Sequence, residues 1–167
     1  MYSLFVVEIM IISLTINTSR SPAAEYLAKW LKKTKFNEEL KDVNFDSAGL
    51  YSYYKTPQEG TSSYLKSKNI DFADFKGKKI TKELIEKQDL ILGFERKWHI
   101  KKLRRRFKDL EGLDAKLHLL LDFAEIKGDP EIPDPINFTS EEYQNITERI
   151  EEGVIKALEK IIKINNE

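Results

Sequence analysis

The sequence contains no cysteine. Disulfides and thiolate metal centres are therefore excluded, and so is any reaction that depends on a sulfur nucleophile. Net charge is missing too: 28 basic residues balance 28 acidic ones, so nothing pulls the chain as a whole toward nucleic acid or an anionic membrane. Internal repeats, low-complexity tracts and Gly/Ser-rich linkers are absent. No domain boundary suggests itself, and residues 1–167 read as one domain, long enough for a proper core. The apolar N-terminal stretch Leu4–Leu14 is interrupted by Glu8 and is about half the length that a membrane-spanning helix needs. It has neither the basic flank nor the small-residue cleavage site of a signal peptide. A cytoplasmic protein without a membrane partner is expected. Met10 is a candidate alternative start, which would make residues 1–9 an extension, either an added pairing strand or a mis-assigned start.

What is present fits an ordered globular chain: 41% of the residues are hydrophobic. The most informative segment runs from Leu14 through Thr15, Ile16, Asn17, Thr18, Ser19 and Arg20 to Ser21 and Pro22. Residues 9–14 form a short run of β-favouring apolar residues, as in a strand buried on both faces. Residues 21–33 read as a helix, with Ser21 as N-cap, Pro22 at the first helical position, and Ala24, Leu27, Ala28 and Leu31 on one apolar face. The loop Thr15–Arg20 then lies over a helix N-terminus, where unpaired N–H groups and the helix dipole favour an anion. Arg20 adds a planar fork of donors suited to phosphate oxygens.

Further elements alternate. Strands are expected at 43–47, 89–93 and 117–121. Helices are expected at about 57–68, from Thr81, at 95–108 and at 140–163. The last helix opens with a capping box, Thr139 and Glu142, and carries an apolar stripe from Tyr143 to Ile161. Strand–helix alternation predicts a three-layer α/β/α sandwich around a four-stranded parallel sheet of order 2-1-3-4. A ligand would bind at the carboxyl ends of the strands near the switch point.

Asn17, Arg20, Ser21 and Pro22 resemble the loop Cys-x-Gly-Asn-x-Cys-Arg-Ser-Pro of the low-molecular-weight protein tyrosine phosphatases, a family that includes related arsenate reductases. Asp46-Ser47-Ala48-Gly49-Leu50 is similar to the family's Ser-Ala-Gly-Thr segment. Thr81–Ile85 with Asp89–Leu92 resembles a further stretch, and Glu131–Pro135 resembles the Asp-Pro segment that supplies the general acid. These matches occur in the family's order over roughly residues 10–164.

The resemblance implies a phosphate-binding loop formed by Thr15, Ile16, Asn17, Thr18, Ser19 and Arg20, braced by Asn17, Ser21 and Ser47. It puts Asp134 at the general-acid position. It also puts Leu14 at the nucleophile position, because Arg20 counts back six residues to Leu14 where the family has cysteine. An alkyl side chain cannot attack phosphorus, so the phospho-cysteine intermediate is excluded and Asp134 is left idle. Arsenate reduction, which needs several thiols, is excluded as well. Ile16 stands at the loop glycine; if that position requires positive φ, a β-branched residue remodels the loop.

The expectation is a catalytically silent phosphatase-like protein that binds phosphate, or a phosphorylated protein or small molecule. The alternatives are a phosphatase using a non-Cys nucleophile or activated water, and a regulatory interaction module that binds no anion. No cofactor, metal or nucleic-acid partner is expected, and the oligomeric expectation is a monomer or weak homodimer. Tyr51, Tyr53 and Tyr54 are candidate walls for an aryl ring, although Ile136-Asn137 stands where the family has aromatics. His118 reads as a strand residue and His99 as structural. Lys97, Lys101, Lys102, Arg104, Arg105, Arg106 and Lys108 read as a solvated face with acidic partners in 122–152.

Overall fold

The structure, a computed structural model, describes residues 5–16, 18–51, 54–135 and 137–167, with the side chains of residues 13–16 left aside. Asn17, Tyr53 and Ile136, each singled out above, lie outside the described residues. Four strands, β1 (Glu8–Ile16), β2 (Asn44–Tyr51), β3 (Leu90–Gly93) and β4 (Leu117–Leu119), form one sheet in the order β2-β1-β3-β4. All pairings are parallel. The expected architecture is therefore present.

The central strand explains the layers. Ile9 and Ile11 point into one core, with α1 (Arg20–Thr34) and α7 (Ser140–Asn166) packed over them. Met10 and Ile12 point into a second core with Ile85 of α3 (Lys82–Glu86) and Leu103 of α4 (Lys102–Arg106). A strand whose alternate residues are all apolar has two faces to bury, and helices on both sides bury them. The helix α7 keeps its expected capping box, with Thr139 Oγ1 accepting from the Glu142 N–H and Glu142 reaching back to the Thr139 N–H. Its stripe Ile146, Ile150, Val154, Ala157, Leu158 and Ile161 is buried. Gly153 allows this approach: a Cβ there would stand 2.8 Å from a Leu121 methyl.

Three of the differences from the expected boundaries have a physical reason. The first strand extends to Ile16 with a bulge after Ser13, pairing Ile16 with Tyr51. β-Branched Thr15 and Ile16 favour extended backbone over a tight cradle, so the loop is shorter than Thr15–Arg20. Helix α1 begins at Arg20, which puts Ser19 rather than Ser21 at the N-cap, and the Ser19 side chain makes no capping bond. Pro22 still lies in the first turn, where N–H groups need no partner. Finally, the apolar run 117–121 divides between β4 and a helical turn, α6 (Leu120–Phe123). Periodicity cannot separate a buried strand from a buried turn in so short a run.

The region 95–108 is helical as expected, but its first part, Arg96–Lys101, is a π-helical turn that passes directly into α4. A shorter helix, α2 (Glu59–Ser67), lies beside α1 and α7, and α5 (Leu113–Lys116) precedes β4. No helix among the described residues is long and apolar enough to cross a membrane.

Candidate anion site at the start of α1

Arg20 is the first residue of α1 and its side chain is 2% exposed. The guanidinium is anchored at one corner. Its Nη1 donates to Glu95 Oε2 at 2.9 Å and to the Ile132 carbonyl. Phe94 lies under the group, with its ring centroid 5.4 Å from the guanidinium carbon. On the far side Nη2 lies 3.6 Å from Asp134 Oδ2, an ionic contact too long for a hydrogen bond. Among the described residues the buried Nε–H has no hydrogen-bond partner. The edge of the fork that suits two oxygens of one anion, Nε with Nη2, therefore holds only a loose carboxylate.

The anchors come from distant parts of the chain. Glu95 follows β3 and is the residue from which the π-helical turn springs: its carbonyl accepts from the Ile100 N–H at 3.2 Å, an i to i+5 bond. Turns of this kind are uncommon and often occur at functional sites. Ile132 is held by its N–H on the Phe94 carbonyl at 2.8 Å, which fixes the segment leading to Asp134. The sequence reading missed Glu95 and Phe94. Their only signal was adjacency to the apolar strand Leu90–Gly93.

His99 is buried in the same cluster. Its Nδ1 accepts from the Phe94 N–H at 2.8 Å, so Nε2 carries the proton, and that nitrogen lies 3.6 Å from Glu95 Oε2. Burial, and then the charge of Arg20, hold its pKa well below 6.5. A neutral histidine tied to the backbone fits the expected structural role. Gly93 makes room for it, since a Cβ there would stand 3.0 Å from His99 Cβ. His118 is in β4, as expected.

Ser47, expected to brace the loop, is buried in β2 and donates to Glu25 of α1. Glu25 also takes the Lys29 ammonium, and burial raises its pKa. The bond thus ties β2 to α1 one turn beyond Arg20. Thr18 and Ser19 are buried at the helix entrance. The Thr18 carbonyl accepts from the Gln58 N–H at 2.7 Å, and the Ser19 carbonyl accepts from Ala23 N–H and Thr61 Oγ1. Ser21 is fully buried within α1. Tyr51 and Tyr54 are exposed. Of the basic face, Arg104 pairs with Asp114, outside the expected 122–152, while the neighbouring Arg96 meets Asp122. Among the described residues no cluster could hold a metal ion.

Comparison with known proteins follows the same lines. No curated protein matches the chain. Among solved structures, YfkJ from Bacillus subtilis is 24% identical, covers 95% of this chain and 96% of its own, and superposes with a TM-score of 0.82. The low molecular weight phosphotyrosine phosphatase VcLMWPTP-2 from Vibrio cholerae O395 is 22% identical over 92% of this chain and 95% of its own, with a TM-score of 0.77. YwlE arginine phosphatase from Geobacillus stearothermophilus is 24% identical over 92% of each chain, with a TM-score of 0.76. The profile of the low molecular weight phosphotyrosine protein phosphatases matches residues 8–166. A cysteine-free sequence with this sheet order and this profile along nearly its whole length belongs to the low molecular weight phosphotyrosine protein phosphatase family.

Proposed function

We propose that this protein docks phosphoryl groups at the start of α1 without cleaving them, as a pseudophosphatase of the cytoplasm. The observation that carries the reading is Arg20. It is buried and held by Glu95 and the Ile132 carbonyl at Nη1, and among the described residues its Nε–H has no hydrogen-bond partner. A buried donor left unpaired costs about 1–3 kcal/mol, which an oxyanion bridging Nε and Nη2 would recover.

With no cysteine in the chain, the phospho-cysteine step of the family is closed. Hydrolysis in this family proceeds by attack of a cysteine thiolate on phosphorus, with departure of the substrate oxygen, and no sulfur exists in the chain to begin it. Asp134 then has no leaving group to protonate. Its carboxylate lies over Nη2 in the free protein and swings aside when a dianion arrives. The similar structures include one named for phosphotyrosine and one for arginine phosphatase. The chemistry they share is the tetrahedral phosphoryl group, which is the ligand class proposed here.

The test combines turnover and binding. Purified protein is incubated with p-nitrophenyl phosphate, and its melting is followed with phosphate, sulfate or vanadate. The expected result is no turnover and a raised melting temperature. At a ligand concentration 100-fold above Kd the stabilisation is about 2.7 kcal/mol. Arg20→Ala abolishes the shift. A variant that responds like wild type defeats the anion reading, and metal-free turnover by pure protein defeats the silent one.

A further inference from the structure

A groove of about 690 Å³ runs between α2 and the first half of α7. We propose that it holds an extended peptide segment flanking the phosphorylated residue, with basic side chains preferred; this rests on the anion reading above.

The groove leads away from the anion site. Its floor includes Tyr143, whose hydroxyl lies 2.6 Å from Thr61 Oγ1 and 3.4 Å from Ser19 Oγ. Ser19 is the residue immediately before Arg20, and its carbonyl accepts from the same Thr61 hydroxyl. A ligand resting on Tyr143 is thus one side chain from the helix entrance where a phosphoryl group docks. Gly60 creates the close seat for the ring: a Cβ there would lie 2.6–2.7 Å from three Tyr143 ring atoms. The rim on this side carries Phe138, 39% exposed, from the loop that also holds Asp134.

Length and charge select the occupant. Along α2 the lining runs from Glu59 to Lys68, about 14 Å at 1.5 Å per residue. That accommodates about four residues of extended chain. The far end is closed, because Glu151 accepts from the Tyr64 hydroxyl and pairs with Lys68 at 2.8 Å. This uses the one lining cation. Glu59 and Glu148 remain on the walls without an ionic partner among the described residues, the latter accepting only from the Gln144 amide. Two unpaired carboxylates facing a groove with aromatic rings at its open end complement arginine or lysine with an apolar neighbour. They disfavour an acidic segment or nucleic acid.

The experiment uses two fluorescein-labelled phosphotyrosine peptides, one flanked by arginines and one by glutamates, read by anisotropy. Inorganic phosphate is titrated in parallel by thermal shift. Ser63→Trp, at an exposed lining position of α2, fills the groove without touching Arg20. It should weaken the arginine-flanked peptide at least tenfold and leave phosphate binding within twofold. Glu59→Lys with Glu148→Lys should invert the preference between the two peptides. Unchanged peptide affinity in Ser63→Trp, with phosphate still bound, overturns the groove proposal and leaves the anion reading intact. Peptide binding with no phosphate response in wild type overturns the anion reading, and the Ser63→Trp comparison still decides the groove. No binding of either ligand defeats both.

Discussion

Arg20 and Glu95 stand 75 positions apart, one opening α1 and the other leaving β3, and their side chains meet at 2.9 Å. The pair fixes a guanidinium that the helix alone would leave free to rotate. Arg20→Ala abandons the Glu95 carboxylate and the Ile132 carbonyl together. Glu95 is 20% exposed, so the loss should fall below that of a fully buried pair, at about 2–4 kcal/mol. Arg20→Lys keeps the charge without the fork and should recover only part of it. Urea unfolding of both variants measures this.

Restoring sulfur at Leu14 asks whether the scaffold still fits the chemistry. Because β1 continues through Ile16 and pairs with Tyr51, Leu14→Cys alone should remain silent toward p-nitrophenyl phosphate. Adding Ile16→Gly gives the backbone its lost freedom, and the double variant should gain turnover that iodoacetate abolishes. Equal activity in the single and double variants would show that Ile16 does not shape the loop.

The contrast at this loop shows what could be read in the sequence. Sheet order, the two-faced burial of β1 and the capping box of α7 were legible because they follow from periodicity and local hydrogen bonding, which neighbouring residues carry. The bulged end of β1 was not, since Thr15 and Ile16 had both a loop motif and a strand propensity, and pairing with Tyr51 decided between them. Ser21 had the chemistry of a cap, yet the cap lies two residues earlier, at Ser19. Arg20 could be named, but its partners could not: Glu95 and the Ile132 carbonyl reach it through the fold, at separations of 75 and 112 residues. The π-helical turn that presents Glu95 leaves no mark in an otherwise ordinary helical pattern.

His99 should make stability depend on pH with a definite sign. Burial and Arg20 hold its pKa well below 6.5, and Glu95 is the acid nearest it. Below about pH 6.5 the unfolded chain binds a proton that the folded chain refuses. Stability from this group is therefore complete above pH 6.5 and declines as pH falls, by up to about 1.4 kcal/mol per unit. Glu25 opposes it, because its raised pKa favours the folded state as acid is added. Subtracting the stability curve of His99→Gln removes the Glu25 contribution, and the difference should fall toward acid. A flat difference between pH 7 and 5 would refute the assignment.

Gly153 tests the packing of α7. Alanine ordinarily strengthens a helix by about 1 kcal/mol over glycine. Here its methyl group would meet Leu121 at 2.8 Å and Leu120 at 3.0 Å. Gly153→Ala should therefore destabilise by about 1–3 kcal/mol, visible as a lower melting temperature. The exposed control Glu152→Ala should change little.

The N-terminal residues can be tested by deletion. Val6 and Ile9 are buried, Val6 exchanges backbone bonds with the Asn165 side chain, and Asp89 accepts from the N–H groups of Val7 and Glu8. A chain beginning at Met10 forfeits all of these. Loss of two apolar side chains at about 1.5–3 kcal/mol each should leave it markedly less stable in urea or largely insoluble. Equal stability would show residues 1–9 to be dispensable.

Among the described residues the anchors of Arg20 are Glu95, the Ile132 carbonyl and the face of Phe94, all far in sequence from Leu14. The scaffold and the reactive group are separable, so the second could be lost in evolution without collapse of the first. Peroxide and thiol-directed reagents find no cysteine here, so phosphate binding at Arg20, measured by thermal shift before and after peroxide treatment, should be the same.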